Sequence, residues 1–250
     1  MKKRVSSYLQ KKKNNNELIH FTLIDPEKTV NDLDKLKNNV RVLEEAGTDC
    51  FLIGGSTGIS QHDVDLVVRA VKEVSNLPVI LFPGNVTGIS KYADAILFMS
   101  LLNSDDPYFI IGAQVLGAPL VLKYGLEPLP TAYIIVGYGG AAGYIGKARP
   151  IPFERPEIGA AYALAASMLG MKYIYFEAGS GSPRPVPLEF VKFTRKLVNN
   201  DIFVIVGGGL RDPEYIKKLH ELGANGVVTG TILEEDLKRG IKLIEAIKKK

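Results

Sequence analysis

Three short glycine-bearing segments in the second half of the chain have the composition to close on an anion. They contain Gly179, Ser180 and Gly181 in "YFEAGSG", Gly207, Gly208 and Gly209 in "VGGGLRDPE", and Gly230 with Thr231 in "VVTGT". Glycine lets backbone N–H groups approach a ligand that a side chain would hold off. Each segment follows an apolar run, so each is either a tight turn or part of a phosphate cradle. Occurring together, they point to a small phosphorylated ligand. Ahead of the first stands Glu177, which ends the run "YIYFE" as a surface stop signal or as an acid placed over a reaction. Asp25 in "LIDPEK" and Ser56 in "IGGSTG" end two earlier runs. A carboxylate and a hydroxyl are hard oxygen donors suited to Mg²⁺, which keeps several waters and shares substrate phosphates. With Pro26 next to it, Asp25 equally suits a helix N-cap.

Other chemistries find less support. His20, His62 and His220 have no metal-ligand spacing, and a structural role is expected for each. No Cys–His or Ser–His arrangement suggests a hydrolase. The single cysteine, Cys50, excludes an intrachain disulfide and suits a reducing compartment. The net charge of +4 is small, with lysines concentrated near the ends, and no aromatic interleaving suggests nucleic-acid stacking. The first residues are polar, without the apolar core of a secretory leader. The longest apolar stretch, 158–171, is too short to span a bilayer. A cytoplasmic protein is expected, with at most transient contact with a membrane surface.

Elements must hold these residues in place. Apolar runs bounded by turn residues predict eight strands, at 18–25, 50–55, 78–83, 93–100, 131–137, 172–177, 202–207 and 226–230. Most are continuous rather than alternating, as in parallel strands covered on both faces. Helical patterns lie between them, several opening on Asp-Pro or Arg-Pro. The expected fold is α/β, a (β/α)8 TIM-like barrel formed by one domain over 1–250, with a doubly wound sheet as the alternative. Residues 1–17 form an N-terminal capping segment with a helix at 5–14. Only nine residues, Gly84 to Tyr92, separate the third and fourth strands. A parallel crossover needs about a dozen or more, so the third helix is expected to be missing or reduced. In such a barrel the groups named above all fall at the carboxyl ends of strands, where function collects.

Read in order, "FTLIDPEK", "FLIGGSTGI", "LFPGN", "ADAILFMSLLNS", "YIIVGYGGAAGYIG", "YFEAGSG", "VGGGLRDPE" and "VVTGT" resemble the geranylgeranylglyceryl phosphate synthases of archaea, in their group II branch. The resemblance runs from about Phe21 to Thr231. It implies a prenyltransferase that joins sn-glycerol 1-phosphate to geranylgeranyl diphosphate with Mg²⁺, in membrane-lipid synthesis. It also implies a barrel without a regular third helix and a homo-oligomer. Carried over motif by motif, Asp25 and Ser56 would hold Mg²⁺. Tyr175, Phe176, Glu177, Ala178, Gly179, Ser180 and Gly181 would surround glycerol phosphate. Gly208, Gly209, Gly230 and Thr231 would grip its phosphate, and Glu177 would take the proton of the attacking hydroxyl. The family pattern has an acid and a proline where this chain has Gly137 and Tyr138, a region bordering the prenyl chain. The rivals are a heptaprenylglyceryl phosphate synthase, a barrel isomerase of ribose phosphates and a non-catalytic phospho-ligand sensor.

Overall fold

The computed structural model describes residues 4–55 and 60–248. Eight parallel strands close into a barrel in chain order: β1 (Ile19–Ile24), β2 (Cys50–Ile53), β3 (Val79–Leu81), β4 (Ala95–Leu101), β5 (Glu127–Ile135), β6 (Tyr173–Glu177), β7 (Phe203–Gly207) and β8 (Gly226–Thr229). The barrel expected from the strand count is therefore the fold, and the doubly wound alternative falls away. Helix α1 (Val5–Asn14) precedes β1, and α2 (Pro26–Thr29) and α3 (Leu33–Ala46) follow it. Helix α4 (Gln61–Val74) joins β2 to β3, and α5 (Ala113–Tyr124) joins β4 to β5. Helices α6 (Gly140–Ile145) and α7 (Pro156–Met168) lie between β5 and β6. Helices α8 (Leu188–Leu197), α9 (Pro213–Glu221), α10 (Thr231–Glu235) and α11 (Leu237–Lys248) complete the chain. Between β3 and β4 there is only a 3₁₀ turn, Val86–Gly88, as the short gap required.

The helices start and stop where side chains satisfy their free backbone groups. Asp32 caps α3 and left-handed Gly47 ends it; Ser60 and Asp63 form a reciprocal capping box on α4; Asp212 caps α9 ahead of Pro213. Alternation along each strand separates two cores. Ile19, Phe21, Leu52, Ile80, Leu97, Tyr133, Tyr175 and Ile205 fill the barrel interior. Ile24, Phe51, Ile53, Ile134, Phe176, Val204 and Val206 face the helical layer.

Strand β5 corrects one expectation. It runs over Glu127–Ile135 rather than 131–137, because Pro128 and Pro130 do not break it. Pairing with β6 begins only at Thr131, so Pro128 and Pro130, whose nitrogens face that side, remove no ladder hydrogen bond. The amino-terminal end of the barrel is closed by α1, whose Val5 and Leu9 join the interior cluster. Glu127 accepts the Val5 N–H at 2.5 Å and the Ser6 hydroxyl. Asp49 accepts the His20 N–H at 2.7 Å, with Lys12 Nζ at 2.8 Å and Lys248 Nζ beside it. No helix among the described residues is long and apolar enough to cross a membrane.

Candidate active site

Strand β6 delivers the central acid by simple alternation. Tyr173, Tyr175 and Glu177 face inward, and Ile174 and Phe176 face the helices. Glu177 is the last residue of the strand, so its carboxylate is buried yet borders a cavity of about 420 Å³ at the carboxyl-terminal end of the barrel. Its Oε1 accepts the Gly179 N–H at 2.7 Å. Burial pushes its carboxyl up from the ordinary range, opposed by that N–H and by the nearby Tyr175 hydroxyl. The Tyr175 hydroxyl itself is buried and completes no hydrogen bond among the described residues. It lies close enough to Glu177 to favour the charged carboxylate. Burial also raises the Tyr133 and Tyr175 phenols, so both stay protonated at neutral pH.

The glycines after β7 make room for this acid. A methyl group on Gly208 (φ +82°) would stand 2.4 Å from Glu177 Oε1, and one on Gly207 would stand 2.5 Å from the Tyr175 hydroxyl. Gly209 abuts the 182–184 backbone in the same way. Sequence reasoning gave these residues to the ligand; part of their work is to admit the protein's own carboxylate. They still leave an anion cradle. The N–H groups of Gly181, Gly209 and Gly230 have no acceptor among the described residues, and Ser180 Oγ meets Thr231 Oγ1 at 3.0 Å across two of the loops.

The structure brings together Asp25, Tyr175, Glu177, Ser180, Gly181, Gly208, Gly209, Gly230 and Thr231 around one cavity. Phe176 is elsewhere: its ring packs edge-on against Phe190 of α8 at 5.6 Å. Ala178 is likewise buried toward the helical layer, and Gly179 contributes its N–H to Glu177 rather than a cavity wall. Ser56 lies outside the described residues.

Asp25 is the helix cap that one of its sequence readings expected. It caps α2 through Oδ1, which accepts the Glu27 N–H at 3.1 Å, while among the described residues Oδ2 has only Lys28 Nζ at 3.9 Å. Burial raises its carboxyl, against the Glu27 N–H and Lys28. Around it the cavity is short of positive charge. Asp25, Glu27, Glu177 and Glu234 line it with Lys28 and Arg211 as cations. Lys28 is paired with Glu234 at 2.6 Å and Arg211 with Glu235 at 2.7 Å. A highly charged anion entering here would need a cation brought with it. A half-free carboxylate suits Mg²⁺, which binds one or two carboxylates and fills its shell with water and phosphate oxygens.

The other half of the cavity is apolar. Ile89, Ile96, Phe98, Met99, Leu101 and Phe109 line it, with Ala113, Gly117 and Val121 of α5 and Ala142 and Ile145 of α6. Phe82, Tyr133 and Tyr175 separate the halves, with Phe82 and Tyr175 stacked at 5.5 Å and Tyr133 edge-on to both, at 5.6 and 5.2 Å. Tyr138, in the stretch expected to border the prenyl chain, does not line this cavity. Gln114, Gly117 and Val121 were missed. Their signal was an α5 sequence, "AQVLGAPLVLKY", that is apolar on all sides rather than on one.

Comparison with known proteins agrees in fold and in sequence. A family model described as the PcrB family matches residues 10–249. The geranylgeranylglyceryl phosphate synthase of Aeropyrum pernix is 52% identical over 235 residues, which are 92% of this chain and 91% of that protein. The protein of the same name from Metallosphaera sedula is 49% identical over 249 residues, 100% of this chain and 97% of its own. The crystal structure of (S)-3-O-geranylgeranylglyceryl phosphate synthase from Thermoplasma acidophilum, in complex with its substrate sn-glycerol-1-phosphate, matches with a TM-score of 0.91 at 38% identity, covering 98% of this chain and 97% of that one.

Proposed function

Because the chain belongs to the PcrB family, we propose that it is a prenyltransferase acting with Mg²⁺ at Asp25 and with Glu177 as base. It forms the ether bond between sn-glycerol 1-phosphate and geranylgeranyl diphosphate, giving geranylgeranylglyceryl phosphate and diphosphate. The observation that carries this reading is one cavity with two unlike halves and a single buried carboxylate near their junction. The N–H groups of Gly181, Gly209 and Gly230 receive the phosphate of the small substrate. The apolar half receives the isoprenoid, between the 3₁₀ turn after β3 and helix α5.

In the reaction the bond from the allylic carbon to the diphosphate oxygen breaks, and a glycerol hydroxyl oxygen bonds to that carbon. Asp25 would hold Mg²⁺, which would supply charge neutralisation for the departing diphosphate. Glu177 accepts the hydroxyl proton on its carboxylate. Its raised pKa makes it a better base than an ordinary carboxylate. The Tyr175 hydroxyl, with its proton uncommitted, donates to the same substrate. Positioning by the phosphate loops fixes the hydroxyl relative to the allylic carbon. The ring cluster of Phe82, Tyr133 and Tyr175 keeps water from that carbon, since water there would yield a prenyl alcohol instead of the ether.

The test is to incubate the purified protein with both substrates and Mg²⁺ and to identify the lipid product by mass spectrometry. The ether-linked product is expected, and it disappears when either substrate is omitted or when the metal is chelated. No ether product would overturn the function. Full turnover in excess chelator would overturn the metal alone. Self-association belongs to the same proposal: Ile111, Val115 and Leu122 near or on α5, with Met168 and Leu169 at the end of α7, leave apolar surface uncovered on the single chain. Sedimentation of the purified protein as a monomer would remove it.

A further inference from the structure

One fully buried ionisable group plays no part in this mechanism. His20 lies on β1 between Ile19 and Phe21, which face the barrel interior, so its ring points out toward the helical layer. Both ring nitrogens are engaged there. Nδ1 meets Thr48 Oγ1 at 2.9 Å and Nε2 meets Thr229 Oγ1 at 2.8 Å. Thr48 extends the chain to Thr22 Oγ1 at 2.9 Å and donates to the His20 carbonyl at 3.3 Å. All four side chains are buried. A neutral imidazole has one donor and one acceptor nitrogen, so both contacts are satisfied together. Burial, with Lys248 as a smaller cause, lowers the His20 pKa to about 3 and keeps the ring neutral.

The far end of this chain of bonds is the informative one. Thr229 is the last residue of β8, and Gly230 and Thr231 follow it directly into the cradle. Val228 faces the barrel interior, so Thr229 turns its side chain outward, and His20 is the hydroxyl's hydrogen-bond partner. The bond to His20 is therefore a fixed point just before the backbone turns over the cavity. On its inner side the turn rests on Leu23, whose Cβ would lie 3.2 Å from a methyl on Gly230. Beyond it, Thr231 reaches Ser180 at 3.0 Å. The turn is held at both ends and left open between them.

We propose that His20 is a positioning residue for the phosphate monoester substrate: by holding Thr229 it sets where the turn through Gly230 and Thr231 stands over the cavity. The proposal rests on the function given above. Its effect falls on binding of the phosphate, which is the same before and during the reaction, so it changes KM and leaves kcat in place.

Steady-state kinetics with each substrate varied in turn, together with calorimetric titration of sn-glycerol 1-phosphate alone, test it. Thr229→Val keeps the shape and deletes the hydroxyl; His20→Gln removes the ring and keeps polar atoms. Each raises KM and the dissociation constant for glycerol phosphate by about tenfold, the scale of one buried hydrogen bond left unmade. KM for the prenyl diphosphate and kcat stay within about twofold of wild type. The double variant moves KM no further than either single one, because both break the same link. Thr229→Ser, which restores the hydroxyl, restores KM. Thr22→Val takes from the same cluster a hydroxyl that meets Thr48 and not Thr229; it lowers Tm and leaves both KM values unchanged. The proposal is overturned if Thr229→Val binds glycerol phosphate normally, if both KM values and kcat shift together, or if Thr22→Val shifts KM as much. Failure of the functional reading shows differently, as a wild-type protein that makes no ether.

Discussion

At the amino-terminal end of the barrel, the buried carboxylate of Asp49 is surrounded by the His20 N–H, Lys12 and Lys248. Glu127 nearby is spent on the first turn of α1. At the carboxyl-terminal end, Glu177 is equally buried but receives one backbone N–H, and among the described residues Tyr175 next to it completes no hydrogen bond. Three loop N–H groups there also lack acceptors among the described residues. Burial of a polar group without partners costs stability, so the two ends differ in what that cost obtains. The lower end uses its charges to fasten both termini of the chain. The upper end keeps bonding capacity for molecules that come and go.

The comparison breaks most sharply at the two acids. Glu177→Gln should lower kcat by about 10²–10⁴-fold, the ordinary worth of a positioned base. It should also raise Tm at neutral pH. The sign follows from the raised pKa: this carboxyl holds its proton more tightly in the native chain than in the unfolded one. Its contribution to stability is full below the unfolded carboxylate range and is lost as pH rises through the higher native value. Removing the charge therefore relieves the fold at pH 7, and the gain over wild type shrinks as the pH is lowered. The same titration places the acid limb of the kcat profile above the range of an ordinary glutamate. A Gln variant that is both active and less stable than wild type would show that Glu177 is a structural acid like Asp49. Asp49→Asn should do the opposite, lowering stability toward the bottom of the ~3–5 kcal/mol range for breaking a buried pair, because Lys12 and Lys248 can still reach water. Thermal unfolding and kcat measured on the same samples check both, and Asp49→Asn should leave kcat alone.

Much of this contrast was readable from sequence, and the unread part has a physical cause. Continuous apolar runs bounded by turn residues marked the strands, and the short 84–92 gap marked the missing helix, because both are properties of the local chain. Glu177 at the end of "YIYFE" was legible for the same reason. Period-two alternation also placed Phe176 opposite to Tyr175 and Glu177, although the motif had grouped all three as ligand contacts. The first half of β5 was hidden by Pro128 and Pro130, whose tolerance depends on where β6 begins to pair beside them. The histidines had been expected to be structural, and nothing local ties His20 to Thr229, which lies across the β1–β8 seam that closes the barrel. The crowding of Gly208 by Glu177 is likewise a contact between strands, invisible to any reading along one segment.

The smallest expected effects come from a pair of glycines with similar backbones, Gly208 at φ +82° and Gly125 at φ +64°. Gly125 ends α5 just before β5, at the amino-terminal end, and a methyl group there would meet nothing within 4 Å. Gly208→Ala and Gly125→Ala therefore share the cost of a left-handed residue, about 1–2 kcal/mol. They differ in everything the added carbon touches. At Gly208 the carbon must displace Glu177 Oε1, which stands 2.4 Å from it. A shift of about 1 Å in a reacting group can cost on the order of 10²-fold, so kcat for Gly208→Ala should fall by at least about tenfold. Gly125→Ala should lower Tm by roughly 2–8 °C, taking about 2–4 °C per kcal/mol for a domain of this size. Its kcat and both KM values should match wild type. Equal losses of activity in the two variants would mean that backbone strain, rather than the place of the carboxylate, governs the upper end of the barrel.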